Sequence, residues 1–370
     1  MSVISPVVAG HRGFKADYPE NTFEGFEKCF DAGAPLIETD LWLSTDEEII
    51  ISHDANTKRL FETEDGQPTD LNILYSSYEK DLKNLKRIGS NEKLATLKDV
   101  LHWFVGYIEN HQSSELVYRI MFDIKRQNPP KLLNNVVKHM LEVKDDIEFW
   151  NKRIQFGVWD LKMVKYLNQE QYFKDVYTKY GEHMDIFHIS VSWQESLQYL
   201  EYNKFLDLQK TRDGLFKFKV TGISFLYIST WSKDFITHFL PLMRAQNLKL
   251  YSWTINTQAQ FDFLWSMGKL YKFREYGIIS DHPNTMADYV KSKQPNEVSK
   301  LMNDPQKLQL SKFQKISSFA FWVFSKIATK KKSADETQFD TLVDRDFIST
   351  PRASKLGSFI FSICQKFGIF

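Results

Sequence analysis

The chain has 370 residues, 42% hydrophobic and 26% charged, which is the balance of a folded globular protein and excludes a mostly disordered or collagen-like one. Its 48 basic and 47 acidic residues leave a formal charge of +1, so there is no strong electrostatic case for nucleic acid as a partner. That average conceals a split, because residues 291–370 carry 14 Lys and Arg against 7 Asp and Glu, with 10 of the 30 Phe, while residues 1–290 are net acidic.

The first residues hold neither a charged leader nor a long apolar run, and Cys29 and Cys364 lie at opposite ends of the chain. A reducing, intracellular setting is the expectation. Strands are predicted at 7–11, 36–43, 49–53, 116–124, 154–159, 186–192, 221–228, 249–255 and 276–280. Nine is one too many for an eight-stranded parallel barrel, and 49–53 is the surplus: Leu43-Ser-Thr-Asp-Glu-Glu48 is too short for a crossover helix and suits a hairpin. Helices are predicted over 21–32, opened by Asn21-Thr22-Phe23-Glu24, and over 96–109, 131–144, 162–173, 232–246 and 257–267. The alternation points to an α/β TIM (β/α)8 barrel over 1–290, since no Gly-rich dinucleotide turn follows the first strand.

Beyond Pro283 the pattern changes. Residues 291–310 read as a linker, and 311–370 as a basic, Phe-rich tail in which apolar stripes at 311–328 and 354–370 flank a polar loop at 329–353. No window reaches about 18 uninterrupted apolar residues, so in-plane amphipathic helices or a shallow hairpin at a membrane are expected rather than a span. The alternative is that these helices pack on the barrel.

In a barrel the chemistry sits at the C-terminal ends of the strands. The first predicted strand delivers His11 and Arg12. The second places Glu38 and Asp40 at i and i+2, hence on one face, where two like charges need a compensating cation. The isoleucine run 49–51 leads to His53, and the strand ending at 124 brings Asp123 and Lys125 together. Each taken singly also fits a structural ion pair or a buried, hydrogen-bonded histidine. Together they describe a site for phosphodiester cleavage: Glu38, Asp40 and Asp123 as hard ligands for one Mg²⁺ or Ca²⁺, Arg12 and Lys125 for the anion, and His11 and His53 as acid and base.

Those residues, with Pro19-Glu20-Asn21-Thr22, His53-Asp54, Trp253-Thr-Ile-Asn256 and Gly277-Ile-Ile-Ser-Asp281-His-Pro283, resemble the glycerophosphodiester phosphodiesterase family. The resemblance implies a TIM barrel, the metal ligands, acid/base pair and phosphate contacts just named, and Trp253 at the border of the substrate pocket. One departure is that many members have Glu where this chain has Asp123. More narrowly, Phe14–Thr22, Asp123, Met140–Trp150 and the basic aromatic C-terminus are similar to the fungal branch that acts as a phospholipase C on phosphatidylglycerol. That implies hydrolysis to diacylglycerol and glycerol 3-phosphate by an intracellular, membrane-associated enzyme at lipid droplets, endoplasmic reticulum or mitochondria. The rival expectations are a glycerophosphodiesterase acting on soluble deacylated diesters such as glycerophosphocholine, and an inert lipid-binding or tethering protein.

Overall fold

A computed structural model of the protein describes residues 5–111, 116–271, 273–293, 310–328 and 338–350. In chain order its strands are β1 (Val7–His11), β2 (Leu36–Leu43), β3 (Ile49–Ile51), β4 (Phe61–Glu62), β5 (Lys86–Arg87), β6 (Arg119–Ile124), β7 (Ile154–Val158), β8 (Asp185–Ser190), β9 (Gly222–Leu226), β10 (Lys249–Trp253) and β11 (Tyr276–Ser280). Eight of them pair in parallel in the order β1-β2-β6-β7-β8-β9-β10-β11, and β11 pairs back to β1 to close the barrel. The surplus segment is β3, antiparallel to β2 with Leu41 opposite Ile51, as the short 43–48 connection requires.

Burial explains the strand composition. All eight residues of β2 are buried, because one face meets the barrel interior and the other meets the helical layer. Between Ser52 and Thr96 the chain leaves the barrel, pairs β4 with β5, and packs Leu60, Phe61, Ile73, Leu82, Leu85 and Leu94 around Trp42 and Ile50 as a satellite core. This excursion overhangs the C-terminal rim and brings Asp54 and Arg59 to it.

The helices follow local chemistry where it is strong. Thr22 caps Phe23–Asp31 by accepting from Gly25 N, and Thr96 with Asp99 forms a capping box for Leu97–Asn110. The predicted 162–173 helix is broken into Leu161–Gln169 and Gln171–Tyr177, and 232–246 begins as a wider turn at Phe235–Phe239 before Leu240–Ala245. Three helices fall outside the predicted ranges, the short Ile147–Asn151 and the longer Trp193–Asp213 and Pro283–Ser292. Trp193–Asp213 buries Ser196, Tyr199 and Asn203 on its inner face, and the Asn203 side chain exchanges hydrogen bonds with the Val220 backbone. Those inward polar residues erase the apolar stripe. Pro283–Ser292 starts with its proline in the first turn, where the missing N–H costs nothing.

The helix Lys312–Ala328 lies beside the turn that follows β9, with Leu310 and Phe321 buried in the main core and Phe313, Ile316 and Phe319 exposed. Of the predicted polar loop, 338–350 lies along the barrel. Phe339 meets Tyr202 and Phe205, Lys162 Nζ donates to Phe347 O at 3.0 Å, and Ser349 Oγ donates to Asp160 at 3.1 Å. Most of the predicted linker and the apolar stripe at 354–370 lie outside the described residues. Among the described residues no helix is long and apolar enough to cross a membrane.

Candidate active site

All eight residues singled out from the sequence, His11, Arg12, Glu38, Asp40, His53, Asp123, Lys125 and Trp253, line one cleft of about 580 Å³ at the C-terminal end of the barrel. The turn after β1 sets the first pair. Arg12 and Gly13 take φ values of 56° and 86°, a left-handed conformation that Gly13 adopts freely and that turns Arg12 N toward Glu38 Oε2 at 3.0 Å. Gly10 permits the tightness, because a Cβ there would lie 2.3 Å from Gly13 O.

Register brings the acids together. Asp40 stands opposite Asp123 on β6, and Glu38, two residues back, points the same way as Asp40. Among the described residues, Glu38, Asp40 and Asp123 are the group able to hold a metal, each offering an oxygen within 4.8 Å of the others. Lys125 Nζ lies 2.6 Å from Asp40 and 2.6 Å from Asp123, and Arg12 Nε lies 3.7 Å from Asp40.

The electrostatics are unbalanced. Burial, then Asp40 and Asp123, push the Glu38 carboxyl well above its ordinary value. Burial acts the same way on Asp40, yet Lys125 and Arg12 outweigh it and hold that carboxyl far below the usual range. One acid of the trio is therefore short of positive charge. Three buried, hard oxygen donors with that deficit fit a divalent ion of the Mg²⁺ or Ca²⁺ kind.

Both histidines are backed by a carboxylate. His11 Nδ1 lies 2.7 Å from Asp281 Oδ1, and His53 Nδ1 lies 2.7 Å from Asp54 Oδ1, which leaves each Nε2 for the cleft. Burial, then Arg12, lowers His11 to about 4; burial, then Lys125, lowers His53. Asp281 is itself anchored by Asn256 Nδ2 at 2.9 Å.

Sequence reasoning assigned no role to six further residues at this rim. Asp54 and Asp281 stood beside motif histidines, and Glu20 and Asn21 lay inside a family block. Trp159 closed the predicted strand 154–159, and Arg59 carried no signal at all. Arg59 donates to both oxygens of Glu20 and to both of Asp54, while Glu20 also accepts from Arg12 at 3.1 Å. Asn21 Nδ2 donates to Asp40 at 3.0 Å, and Trp159 Nε1 donates to Asp123 at 2.6 Å while its ring meets Trp253 edge-on. Ile189 and Val191, at and just after the end of β8, join the two tryptophans in an apolar lining, and Met121 and Ile279, inside the barrel beside Glu38 and β1, add to it.

A family profile for the glycerophosphoryl diester phosphodiesterase family matches residues 11–285. A glycerophosphodiester phosphodiesterase of Bacillus altitudinis is 42% identical over 52 residues, which cover 14% of this chain and 21% of that protein. A lysophospholipase D of Rattus norvegicus is 39% identical over 49 residues, 13% of this chain and 16% of that one. The chain thus spans about a fifth of the length of the curated relatives it matches. Among solved structures, a glycerophosphodiester phosphodiesterase from Parabacteroides distasonis superposes with a TM-score of 0.54 at 17% identity, over 79% of this chain and 99% of the other. A phosphodiesterase of Oleispira antarctica, solved with the product sn-glycerol 3-phosphate, gives 0.52 at 19% identity, over 78% and 98%. At such identities the structural likeness speaks for the fold, and the profile, which runs through every residue of the cleft, speaks for the family. The chain belongs to the glycerophosphoryl diester phosphodiesterase family of phosphoric diester hydrolases.

Proposed function

We propose that the protein is a divalent-metal-dependent phosphodiesterase acting as a phospholipase C on phosphatidylglycerol, with diacylglycerol and glycerol 3-phosphate as products. The observation that carries this reading is the mixed lining of the cleft: three carboxylates and two carboxylate-backed histidines on β1, β2, β6 and the adjoining loops, and Ile189, Val191, Trp159 and Trp253 on or just after β7, β8 and β10. A diester of glycerol matches the charged groups, and a lipid matches both sets. A deacylated diester such as glycerophosphocholine offers its quaternary ammonium to the two tryptophans but no acyl chain to Ile189 and Val191.

The substrate supplies its own nucleophile. The 2-hydroxyl of the headgroup glycerol lies next to the phosphoester and attacks phosphorus intramolecularly, which lowers the entropic barrier relative to external water. One of His11 and His53 takes the hydroxyl proton at Nε2, and the other delivers a proton to the departing diacylglycerol oxygen. The P–O bond to diacylglycerol breaks as the ring of a cyclic glycerophosphate closes. In the second step water opens that ring, with the histidines in exchanged roles. Arg12 and Lys125 hold the non-bridging oxygens, and Asp281 and Asp54 keep the imidazoles turned toward phosphorus. A divalent ion bound by Glu38, Asp40 and Asp123 would offset phosphoryl charge. Mg²⁺ and Ca²⁺ both suit these oxygen donors.

This reading carries with it a membrane-surface location, at lipid droplets, endoplasmic reticulum or mitochondria, and the exposed Phe313, Ile316 and Phe319 beside Lys312 and Lys315 support it. Product analysis on phosphatidylglycerol and on glycerophosphocholine, each with and without chelator, tests it. Chelator-sensitive release of diacylglycerol from the lipid, faster than choline release from the soluble diester, is expected. Preference for glycerophosphocholine would overturn the lipid assignment, and cleavage at the normal rate of a phosphatidylglycerol analogue lacking the 2-hydroxyl would overturn the mechanism.

A further inference from the structure

We propose that residues 338–350, which lie in the basic tail, are a strap that positions one side of the catalytic cleft, with Arg126, Asp160 and Lys162 as the positioning residues through which it acts. The inference rests on the functional reading above only in taking Asp40, Asp123 and Lys125 as part of the reactive centre. The strap lies beyond residues 11–285, the span that the family profile matches. Buried charge fixes it to the barrel. Lys165 Nζ donates to Gln338 O at 2.7 Å and to the Thr341 hydroxyl, and Gln169 on the same helix donates to Thr341 O at 2.8 Å and accepts from Val343 N at 2.9 Å. Farther along, Lys131 N donates to Arg345 O at 3.0 Å, and the Lys131 ammonium lies 2.8 Å from Asp346. Lys162, Lys165 and Asp160 are all buried. Charges in such positions are costly unless their partners stay in place, so the strap is part of the folded barrel.

Three paths of direct contact lead from the strap to the site. On the first, Ser349 Oγ donates to Asp160 Oδ2 at 3.1 Å, and Asp160 directly follows Trp159, whose Nε1 donates to Asp123 at 2.6 Å. On the second, Arg126 lies 3.2 Å from that same Asp160 oxygen and donates to Thr350 O at 3.5 Å. Arg126 directly follows Lys125, which lies 2.6 Å from each of Asp40 and Asp123. On the third, Lys162 Nζ donates to Phe347 O at 3.0 Å and to Asn128 O at 2.8 Å. Asn128 in turn donates to Leu41 O at 2.7 Å and accepts from Leu43 N at 2.9 Å, which holds the end of β2 just past Asp40. The paths run through the loops after β6 and β7 and the end of β2, and they finish on one cluster of three charged groups. Groups that hold a metal or a phosphate work only within about half an ångström of their productive geometry, and outer contacts of this kind supply that precision.

The test uses the full chain and Ser349→Asp, which sets a second carboxylate against Asp160 and lifts the end of the strap. Calorimetric titration with Mg²⁺ or Ca²⁺ is expected to show a Kd weakened about tenfold, the lower end of the effect usual for outer partners of metal ligands, and kcat on phosphatidylglycerol falls by a similar factor. Amide hydrogen exchange, measured without metal, quickens in residues 122–126 and 157–161. Adding Asp160→Asn, which replaces the repulsion by a hydrogen bond, restores part of the lost Kd and kcat. Asn203→Ala controls for stability, because it removes the bonds to the Val220 backbone from a residue that does not line the cleft. It lowers the melting temperature and leaves Kd, kcat and the exchange of those segments as in the wild type. A folded Ser349→Asp with wild-type Kd, kcat and exchange overturns the proposal, and so do equal losses in Asn203→Ala. Should Ser349→Asp fail to fold, Ser349→Ala carries the test, with a roughly threefold loss expected and no loss overturning it. If the wild type hydrolyses no phosphodiester, the functional reading fails separately, and the exchange of 122–126 and 157–161 still decides for or against the strap.

Discussion

At the N-terminal end of the barrel, Arg119 spans both oxygens of Glu275 at 3.1 and 3.0 Å, Lys249 meets Asp185 at 2.6 Å, and Tyr251 donates to Glu275 at 2.6 Å. At the C-terminal end, among the described residues, the six acids Glu20, Glu38, Asp40, Asp54, Asp123 and Asp281 face Arg12, Lys15, Arg59 and Lys125, with Arg87 acting on Glu20 and Asp40 from farther off. The same strands build both clusters, for β6 begins at Arg119 and carries Asp123 near its end. The lower cluster balances its charge internally and asks for nothing. The upper one holds a surplus of buried negative charge, which costs stability unless a cation or substrate relieves it. Charge balance, rather than the mere presence of ionisable groups, separates a structural plug from a reactive site.

The sharpest way to break that comparison is to remove the surplus. Glu38→Gln is expected to lower kcat/KM by on the order of a thousandfold or more, a loss of at least ~4 kcal/mol of transition-state stabilisation. Because Glu38 is the acid most short of positive charge, the metal-free variant should melt no lower than the metal-free wild type, while losing the rise in melting temperature that Mg²⁺ or Ca²⁺ confers. Calorimetric titration and thermal melts check both halves. A variant that melts well below the wild type without metal would mean that the carboxylates hold the fold rather than the ion.

Next in size, His11→Ala and His53→Ala should each reduce turnover by about 10²–10⁴-fold with metal binding retained. Full activity in either would remove that histidine from the mechanism. At the opposite end, Arg119→Met leaves Glu275 without its bidentate partner and should destabilise the protein by roughly 3 kcal/mol, with unchanged activity per folded molecule. Adding Glu275→Leu should recover part of that loss, since the main cost is a carboxylate left to share Lys249, at 3.5 Å, with Asp185. An activity loss in Arg119→Met at constant folded fraction would show that the two ends are coupled.

The smallest effect concerns acid. Burial works against the Glu20 carboxylate, but Arg59 and Arg12 lower it to about 2. Its contribution to stability is present above its ordinary value and is lost as pH falls from about 4.5 toward about 2. In Glu20→Gln the acid limb of the stability curve should be shallower by up to ~1.4 kcal/mol per pH unit, one proton's worth, and the two proteins should converge at the acid end. Denaturant titrations at stepped pH measure the slope.

Much of this was legible without coordinates. The alternation of strand and helix implied the barrel, because a residue run that is apolar throughout has few places to go except between two layers. The 43–48 connection identified β3 as the odd strand by length alone. Within one strand, the spacing of Glu38 and Asp40 sufficed to place both on one face. The helix Trp193–Asp213 was not legible, since its buried face carries Ser196, Tyr199 and Asn203, whose hydrogen-bond partners lie on other segments.

What the sequence determined by itself is therefore mostly what local periodicity encodes: the nine strands of the main sheet but not the β4–β5 pair, the faces of β2 and β6, and the seven charged and imidazole side chains delivered to the cleft, while Trp253 followed from the family resemblance alone. Tertiary structure alone decided how those side chains are held. Asp281 reaches His11 across 270 residues, Arg59 reaches Glu20 across 39, and Trp159 reaches Asp123 across 36. None of those separations leaves a period in the chain. Barrel closure, which sets β11 beside β1, and the excursion that folds back over the rim are what convert distant residues into hydrogen-bonding neighbours.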